Sequence, residues 1–163
     1  PESGSRRVIG LMKKELDPDM WPEKVREIKE AGLISHGLFL IGYPGETLED
    51  IKQTEELIKK SHFDSIGIQY FQPLPGTPIY DELVKAGEIH DELLPKTTSG
   101  RRVYVTKDLK GFNFSRFAFR MYMHTFVRHP RKHLRLIFSY NPALMMKRLA
   151  VLIYDALIGL KNK

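Results

Sequence analysis

The chain has 163 residues, 42% of them hydrophobic and 28% charged, which is enough to bury one sizeable core and fits one domain with or without an appendage. It contains no cysteine, which excludes disulfides and thiolate metal ligands within the chain and makes a reducing compartment the simplest assumption. No apolar run reaches the roughly 18 residues of a membrane span, and the opening PESGSRR has no apolar signal core, so a cytoplasmic location is expected.

In chain order, PEKVREIKEAG spaces Val25, Ile28 and Ala31 at three-residue steps between Pro22 and Gly32, which predicts a short amphipathic helix. HGLFLIG is too short for a typical helix and too uniformly apolar for a half-exposed strand, and predicts a strand buried on both faces. Thr47 is placed to cap the next helix, with Asp50 completing a capping box and Leu48, Ile51, Leu57 and Ile58 forming its apolar face. SIGIQYF predicts a second strand. Thr77 as cap and Pro78 at the first position open a further helix that Gly87 ends. RRVYVT, from Arg101 to Thr106, offers an edge strand.

From about Asn113 the pattern turns wholly helical. Phe114, Phe117 and Met121 mark one helix, Pro130 interrupts, and Asn141 with Pro142 opens another that carries Met145, Leu149, Leu152, Ala156 and Leu160. Charge follows the same division. Residues 1–100 hold 12 Lys and Arg against 18 Asp and Glu, whereas residues 101–163 hold 14 against two, beneath a net charge of +6. The asymmetry suggests two units, an α/β part over residues 1–95 and a basic helical extension over 96–163.

Alternating helices and buried strands imply a parallel α/β sheet, and such sheets bind ligands in the loops beyond the carboxyl ends of their strands. ESGS, GYPGE and QPLPGT meet that description and are expected on one rim. Gly42, Gly45 and Gly76 serve turn geometry on one reading, and on the other bare the backbone so that a flat ligand comes close.

ESGSRRVIGLMKK, GLFLIGYPGETLEDIKQT and FQPLPGTPIYDEL, in that order, resemble the last third of the catalytic domain of radical S-adenosylmethionine enzymes, in the group that carries a cobalamin-binding domain upstream. The resemblance covers about residues 2–90, and FAFRMYMHTFVRHPRKHLRLI is similar to the helical tail of that group. It implies the C-terminal part of a partial (β/α)6, TIM-like barrel with a helical extension. Here ESGS would follow the fourth strand, GLFLIG would be the fifth and SIGIQYF the sixth. The family's CxxxCxxC loop, which holds a 4Fe-4S cluster, has no counterpart in this chain. Cluster ligands and any cobalamin domain would therefore lie outside it.

Carried over by position, the resemblance puts Glu2, Ser3 and Ser5 at the ribose and amino-acid part of S-adenosylmethionine. Lys14, or Lys13 beside it, would meet the methionine carboxylate. Leu40, Gly42 and Tyr43 would flank the adenine from one strand, and Phe71, Gln72 and Pro73 from the next. Ser3 and Ser5 also read as plain helix caps, and Lys14 as a solvated cation. The implied reaction of the intact parent is reductive cleavage of S-adenosylmethionine to a 5′-deoxyadenosyl radical that abstracts hydrogen from substrate. Within the group the chain is similar to anaerobic magnesium-protoporphyrin IX monomethyl ester cyclase proteins, which implies a tetrapyrrole substrate. Cobalamin-dependent methyl transfer is the alternative enzyme reading.

A non-catalytic interaction domain is the rival from another class. The basic tail can pack on the rest of its own protein, lie on an anionic membrane surface, or grip RNA, the last being disfavoured for want of glycine-rich loops among its arginines and aromatics. His129 and His133 are spaced for one helix face, but Pro130 disturbs it and no acidic ligand is near, so no metal site is expected. Open strand edges and uncovered apolar surface predict self-association of the chain.

Overall fold

The computed structural model describes residues 1–89 and 104–130, with residues 143, 146, 147, 150, 151, 153 and 154 of the basic tail. Within these, α1 (Arg6–Leu11), a short 3-10 turn and α2 (Trp21–Glu30) lead to β1 (His36–Ile41). Then follow α3 (Leu48–Ser61), β2 (Ser65–Tyr70), α4 (Pro78–Lys85) and α5 (Phe114–Arg128).

Local signals fix most boundaries. Pro22 lies in the first turn of α2, which stops at Ala31 just before Gly32. Thr47 and Asp50 form the reciprocal capping box at the start of α3, while Lys59 and Lys60 fall in its last turn against the negative end of the helix dipole. Thr77 precedes α4 as expected, but its hydroxyl donates to the Leu74 carbonyl at 2.7 Å and makes no capping bond to the helix. Tyr104, Val105 and Thr106 are not strand, and the remainder of RRVYVT lies outside the described residues.

β1 and β2 form a two-stranded parallel sheet joined through α3, in register from His36↔Ser65 to Ile41↔Tyr70. The expectation of a strand buried on both faces is corrected here. Gly37, Phe39 and Ile41 are buried, whereas His36 and Leu38 are exposed and Leu40 is half-buried, because α2, α3 and α5 all cover the same face of the sheet. That face holds the main core: Phe39, Ile41, Ile66 and Ile68 meet Val25 of α2, Ile51 and Ile58 of α3, and Phe114, Phe117 and Met121 of α5.

Both outer edges of the sheet have a partner where the structure describes one. The Ile68 amide donates to the Tyr122 hydroxyl of α5 at 3.0 Å, and the Leu40 amide donates to the Glu2 carbonyl at 2.8 Å. An unpaired edge amide invites another chain, so these bonds blunt the two edges at those points. At the opposite end of the strands, Asp64 accepts from the Ser35 amide and hydroxyl at 3.0 Å each, and the Ser35 hydroxyl accepts from the Asp64 amide at 2.9 Å. This buried clamp holds the two strand starts level.

Candidate functional site

Because the strands are parallel and in register, their carboxyl ends are level, and the segments that leave them are neighbours. The Phe71 amide donates to the Ile41 carbonyl at 2.8 Å, continuing the β1–β2 ladder by one rung. Glu2 lies on the other side of β1 through its bond to Leu40. Residues 2–5, 42–46 and 71–76 therefore gather at one end of the sheet, as the sequence implied.

The side chains at this rim divide into a polar hub and an aromatic cluster. Asp50 is the hub. Its carboxylate accepts from the Ser5 hydroxyl at 2.6 Å, from the Thr47 hydroxyl at 2.6 Å and the Thr47 amide at 2.8 Å, and it pairs with Arg7. Arg7 also donates to the Gly45 carbonyl at 2.7 Å. Burial alone would raise the Asp50 pKa, but the bonds from Arg7, Ser5 and Thr47 outweigh it and hold the carboxyl well below the usual range. One carboxylate thus ties the segment before α1 to the loop after β1.

Glu46 has the opposite environment. It is fully buried, one carboxylate oxygen accepts the Gly42 amide, and the other has no hydrogen-bond partner. Burial pushes its pKa up to about 7 against the bonds from the Gly42 and Tyr43 amides, which favour the charged form. Gly42 itself has φ +82, and a Cβ there would lie 3.2 Å from Cε1 of Phe114. Gly45 has φ +78 with only Leu11 near its missing side chain, at 3.6 Å. Turn geometry and the approach of Phe114 thus account for both glycines, and the free amide that a ligand would need at Gly42 is already engaged by Glu46.

The aromatic cluster sits beside this loop. Phe71, Tyr80, Leu83, Ile89 and Tyr104 are buried together, with Leu40, Tyr43 and Ile79 partly buried against them. Tyr43 meets Phe71 edge-on at 4.9 Å between centroids, and Phe71 meets Tyr104 at 5.7 Å. Tyr104 donates to Glu88 at 2.9 Å, and burial followed by that bond pushes its hydroxyl pKa above the ordinary value.

The residues singled out from sequence distribute over these groups. Leu40, Tyr43 and Phe71 come together in the aromatic cluster, Pro73 is buried and Gln72 half-buried next to it in sequence. Glu2 and Lys14 are ion-paired to each other. Ser3 and Ser5 are buried with their hydroxyls turned to α3: Ser3 is 3.2 Å from the Thr54 hydroxyl, and Ser5 also accepts the Val8 amide that it caps. Arg7, Glu46 and Tyr104 were not singled out. A carboxylate directly after a glycine turn was the one available signal for Glu46; Arg7 and Tyr104 carried none.

Chemically, the rim presents the partly exposed Leu40 and Tyr43, backed by the buried Phe71, with a Glu2–Lys14 pair at the same end. It offers a metal nothing comparable. The chain has no cysteine, and among the described residues no group of three His, Asp or Glu is placed to hold an ion. A 4Fe-4S cluster does not fit these residues.

Comparison with curated proteins connects this chain to radical S-adenosylmethionine enzymes. The similar proteins include tRNA-2-methylthio-N(6)-dimethylallyladenosine synthase of Hydrogenovibrio crunogenus, 38% identical over 79 residues, which are 47% of this chain and 17% of the relative. The proteins of that name from Yersinia pestis (strain Pestoides F) and Yersinia pseudotuberculosis serotype O:1b are 33% identical over 82 residues, or 49% of this chain and 17% of each relative. The chain thus aligns with about a sixth of the length of these relatives. No family model matches it. The relatives support the radical S-adenosylmethionine class and give no support to the tetrapyrrole cyclase label or to cobalamin.

Proposed function

We propose that this chain is part of a radical S-adenosylmethionine enzyme, the C-terminal portion of its partial (β/α)6 barrel, and that it contributes walls of the S-adenosylmethionine site. The observation that carries the reading is the convergence of residues 2–5, 42–46 and 71–76 at the carboxyl ends of two parallel strands, where Leu40 and Tyr43 pack on the buried Phe71. Similarity to enzymes of this class supports it.

In this role Leu40 and Tyr43, held in place by the buried Phe71, bind by excluding water from one face of the adenine, which needs no charge. Lys14 would meet the methionine carboxylate by exchanging its present partner, Glu2, for the ligand. Ser3, Ser5 and Asp50 hold the loop before α1 against α3, so their part is to position. Gly42 and Glu46 fix the turn that carries Tyr43. When bound, S-adenosylmethionine supplies radical chemistry with a cluster held by protein outside this chain. The remainder of the same protein is the partner this reading requires, in the cytoplasm, together with a substrate of its own.

The tetrapyrrole and cobalamin methyl-transfer readings gain nothing from relatives named for a tRNA adenosine modification. The stretch they share is a sixth of those enzymes.

The test is anaerobic reconstitution of the full-length parent with S-adenosylmethionine and a reductant. 5′-Deoxyadenosine should form. Phe71→Ala should raise the KM for S-adenosylmethionine about tenfold or more at unchanged cluster content, the loss expected for an aromatic wall. No 5′-deoxyadenosine from a preparation with an intact cluster would overturn the assignment.

A further inference from the structure

Glu46 closes the loop that leaves β1 from the inside. It is fully buried, its carboxyl group takes the amides of Gly42 and Tyr43, the first two residues of that loop, and its own amide donates to the Tyr43 carbonyl at 2.9 Å. The second carboxyl oxygen has no hydrogen-bond partner among the described residues. A carboxylate sealed from water needs a cation, or donors for both oxygens. The guanidinium that acts on it, Arg7, is committed elsewhere, to Asp50 and to the Gly45 carbonyl at 2.7 Å. The neutral acid therefore fits this place and the anion does not.

We propose that the proton on Glu46 gates the S-adenosylmethionine site: the loop holds Tyr43 in its binding position while the acid is neutral and releases it when the acid ionises. This rests on the reading that Tyr43 lies against the adenine. An ionised Glu46 gains water only if the 42–46 loop parts from its surroundings. Single hydrogen bonds hold the loop there: Arg7 on the Gly45 carbonyl, the Gly45 amide on the Thr106 hydroxyl at 3.1 Å, and the Tyr43 hydroxyl on the Leu11 carbonyl at 3.4 Å. Tyr43 packs edge-on against Phe71, so a shift of the loop moves the side chain that faces the ligand.

The charges around Glu46 act in opposite senses. Asp50 of α3 raises its pKa and Arg7 of α1 lowers it, while Asp108, close in sequence to Thr106, acts on Arg7. From α5 the neighbour of the loop is the uncharged Phe114 ring, and from α4 Glu82 acts on the Tyr43 phenol. Burial outweighs the rest and brings the Glu46 pKa up to about 7. Asp50 is held below the usual carboxylate range and the Tyr43 phenol above its ordinary value, so neither changes charge near neutrality.

The experiment measures kcat and KM for S-adenosylmethionine in the reconstituted full-length parent from pH 6 to pH 8.5, read as 5′-deoxyadenosine, for wild type and Glu46→Gln. When only the neutral acid supports binding, the competent fraction falls about tenfold between pH 6 and pH 8, so KM should rise about tenfold with kcat at saturation following one profile in both proteins. Glu46→Gln cannot ionise and should lose this rise. The α-amino group of the ligand titrates alike in both, so the difference between them isolates Glu46. A residue needed only for folding would lower the yield of active enzyme without tilting KM with pH. Independently of any cofactor, the Gly42 and Tyr43 amide resonances of the parent, carrying isotope-labelled glycine and tyrosine, should titrate together with a midpoint at about 7.

The same pH dependence of KM in the two proteins, with product formed, overturns the gate alone. So does an amide titration with its midpoint in the ordinary carboxylate range. Absence of 5′-deoxyadenosine at every pH from a preparation with an intact cluster overturns the assignment of the parent and the gate with it.

Discussion

Glu46→Gln should stabilise the protein at alkaline pH and change little in acid. A fully buried carboxyl whose pKa stands at about 7 instead of 4.5 is one that the folded state prefers to keep protonated. The folded state therefore binds more protons than the unfolded chain between those values, and stability falls as pH rises through them. At about 1.4 kcal/mol per pKa unit, the rise from 4.5 to about 7 corresponds to about 3 kcal/mol, fully lost once the pH is well above 7. Glutamine has the shape of the protonated acid and cannot ionise. Its oxygen can still accept the Gly42 amide, and its amide replaces the oxygen that has no partner. Urea unfolding should show the variant about 3 kcal/mol more stable than wild type at pH 8.5 and within about 1 kcal/mol at pH 5. Taking the difference between the two proteins removes other titrations, including that of His36, which is exposed overall but whose ring, partly desolvated on the sheet, has a lowered pKa that tilts stability the opposite way. A variant less stable than wild type at pH 8.5, or a gap independent of pH, would refute the reasoning.

Asp50→Asn should cost about 2–3 kcal/mol in urea unfolding at pH 7, a moderate figure because Arg7 is half-exposed. Since the Asp50 pKa is depressed, its contribution is present above the ordinary value of 3.8 and lost below it. The gap should close as the pH falls below that value, and a cost under about 1 kcal/mol at pH 7 would contradict its place as a hub. Gly45→Ala should cost about 1–2 kcal/mol from its positive φ alone. Gly42→Ala, with the same backbone and the Phe114 ring in the way, should cost at least about 1 kcal/mol more by the same measurement. Equal costs would mean that the ring gives way freely.

The helices and the rim were legible because their signals are local. Pro22, Gly32, Thr47 and Asp50 each act within a turn of where they stand, and parallel strands bring the loops at their carboxyl ends together whatever those loops contain. The one-sided sheet was not legible, because Leu38 and Leu40 on the open face are as apolar as Phe39 and Ile41 on the covered one. A run without alternation hides which way it faces. Gly42 keeps two readings in the sequence for a related cause: the ring that approaches its missing side chain is Phe114, far along the chain in α5. Ser3 and Ser5 carried two readings, and only the position of α3 shows that their hydroxyls are engaged there.

The open face of the sheet has one further property. Leu38 stands opposite Gly67, and a Cβ at Gly67 would come within 2.8 Å of the Leu38 side chain, which therefore reclines across the neighbouring strand. The atom in the way is the far end of an exposed side chain, so an alanine at 67 is accommodated by Leu38 swinging off the strand towards solvent, and the contour of the open face at this point is set by the leucine, not by the backbone.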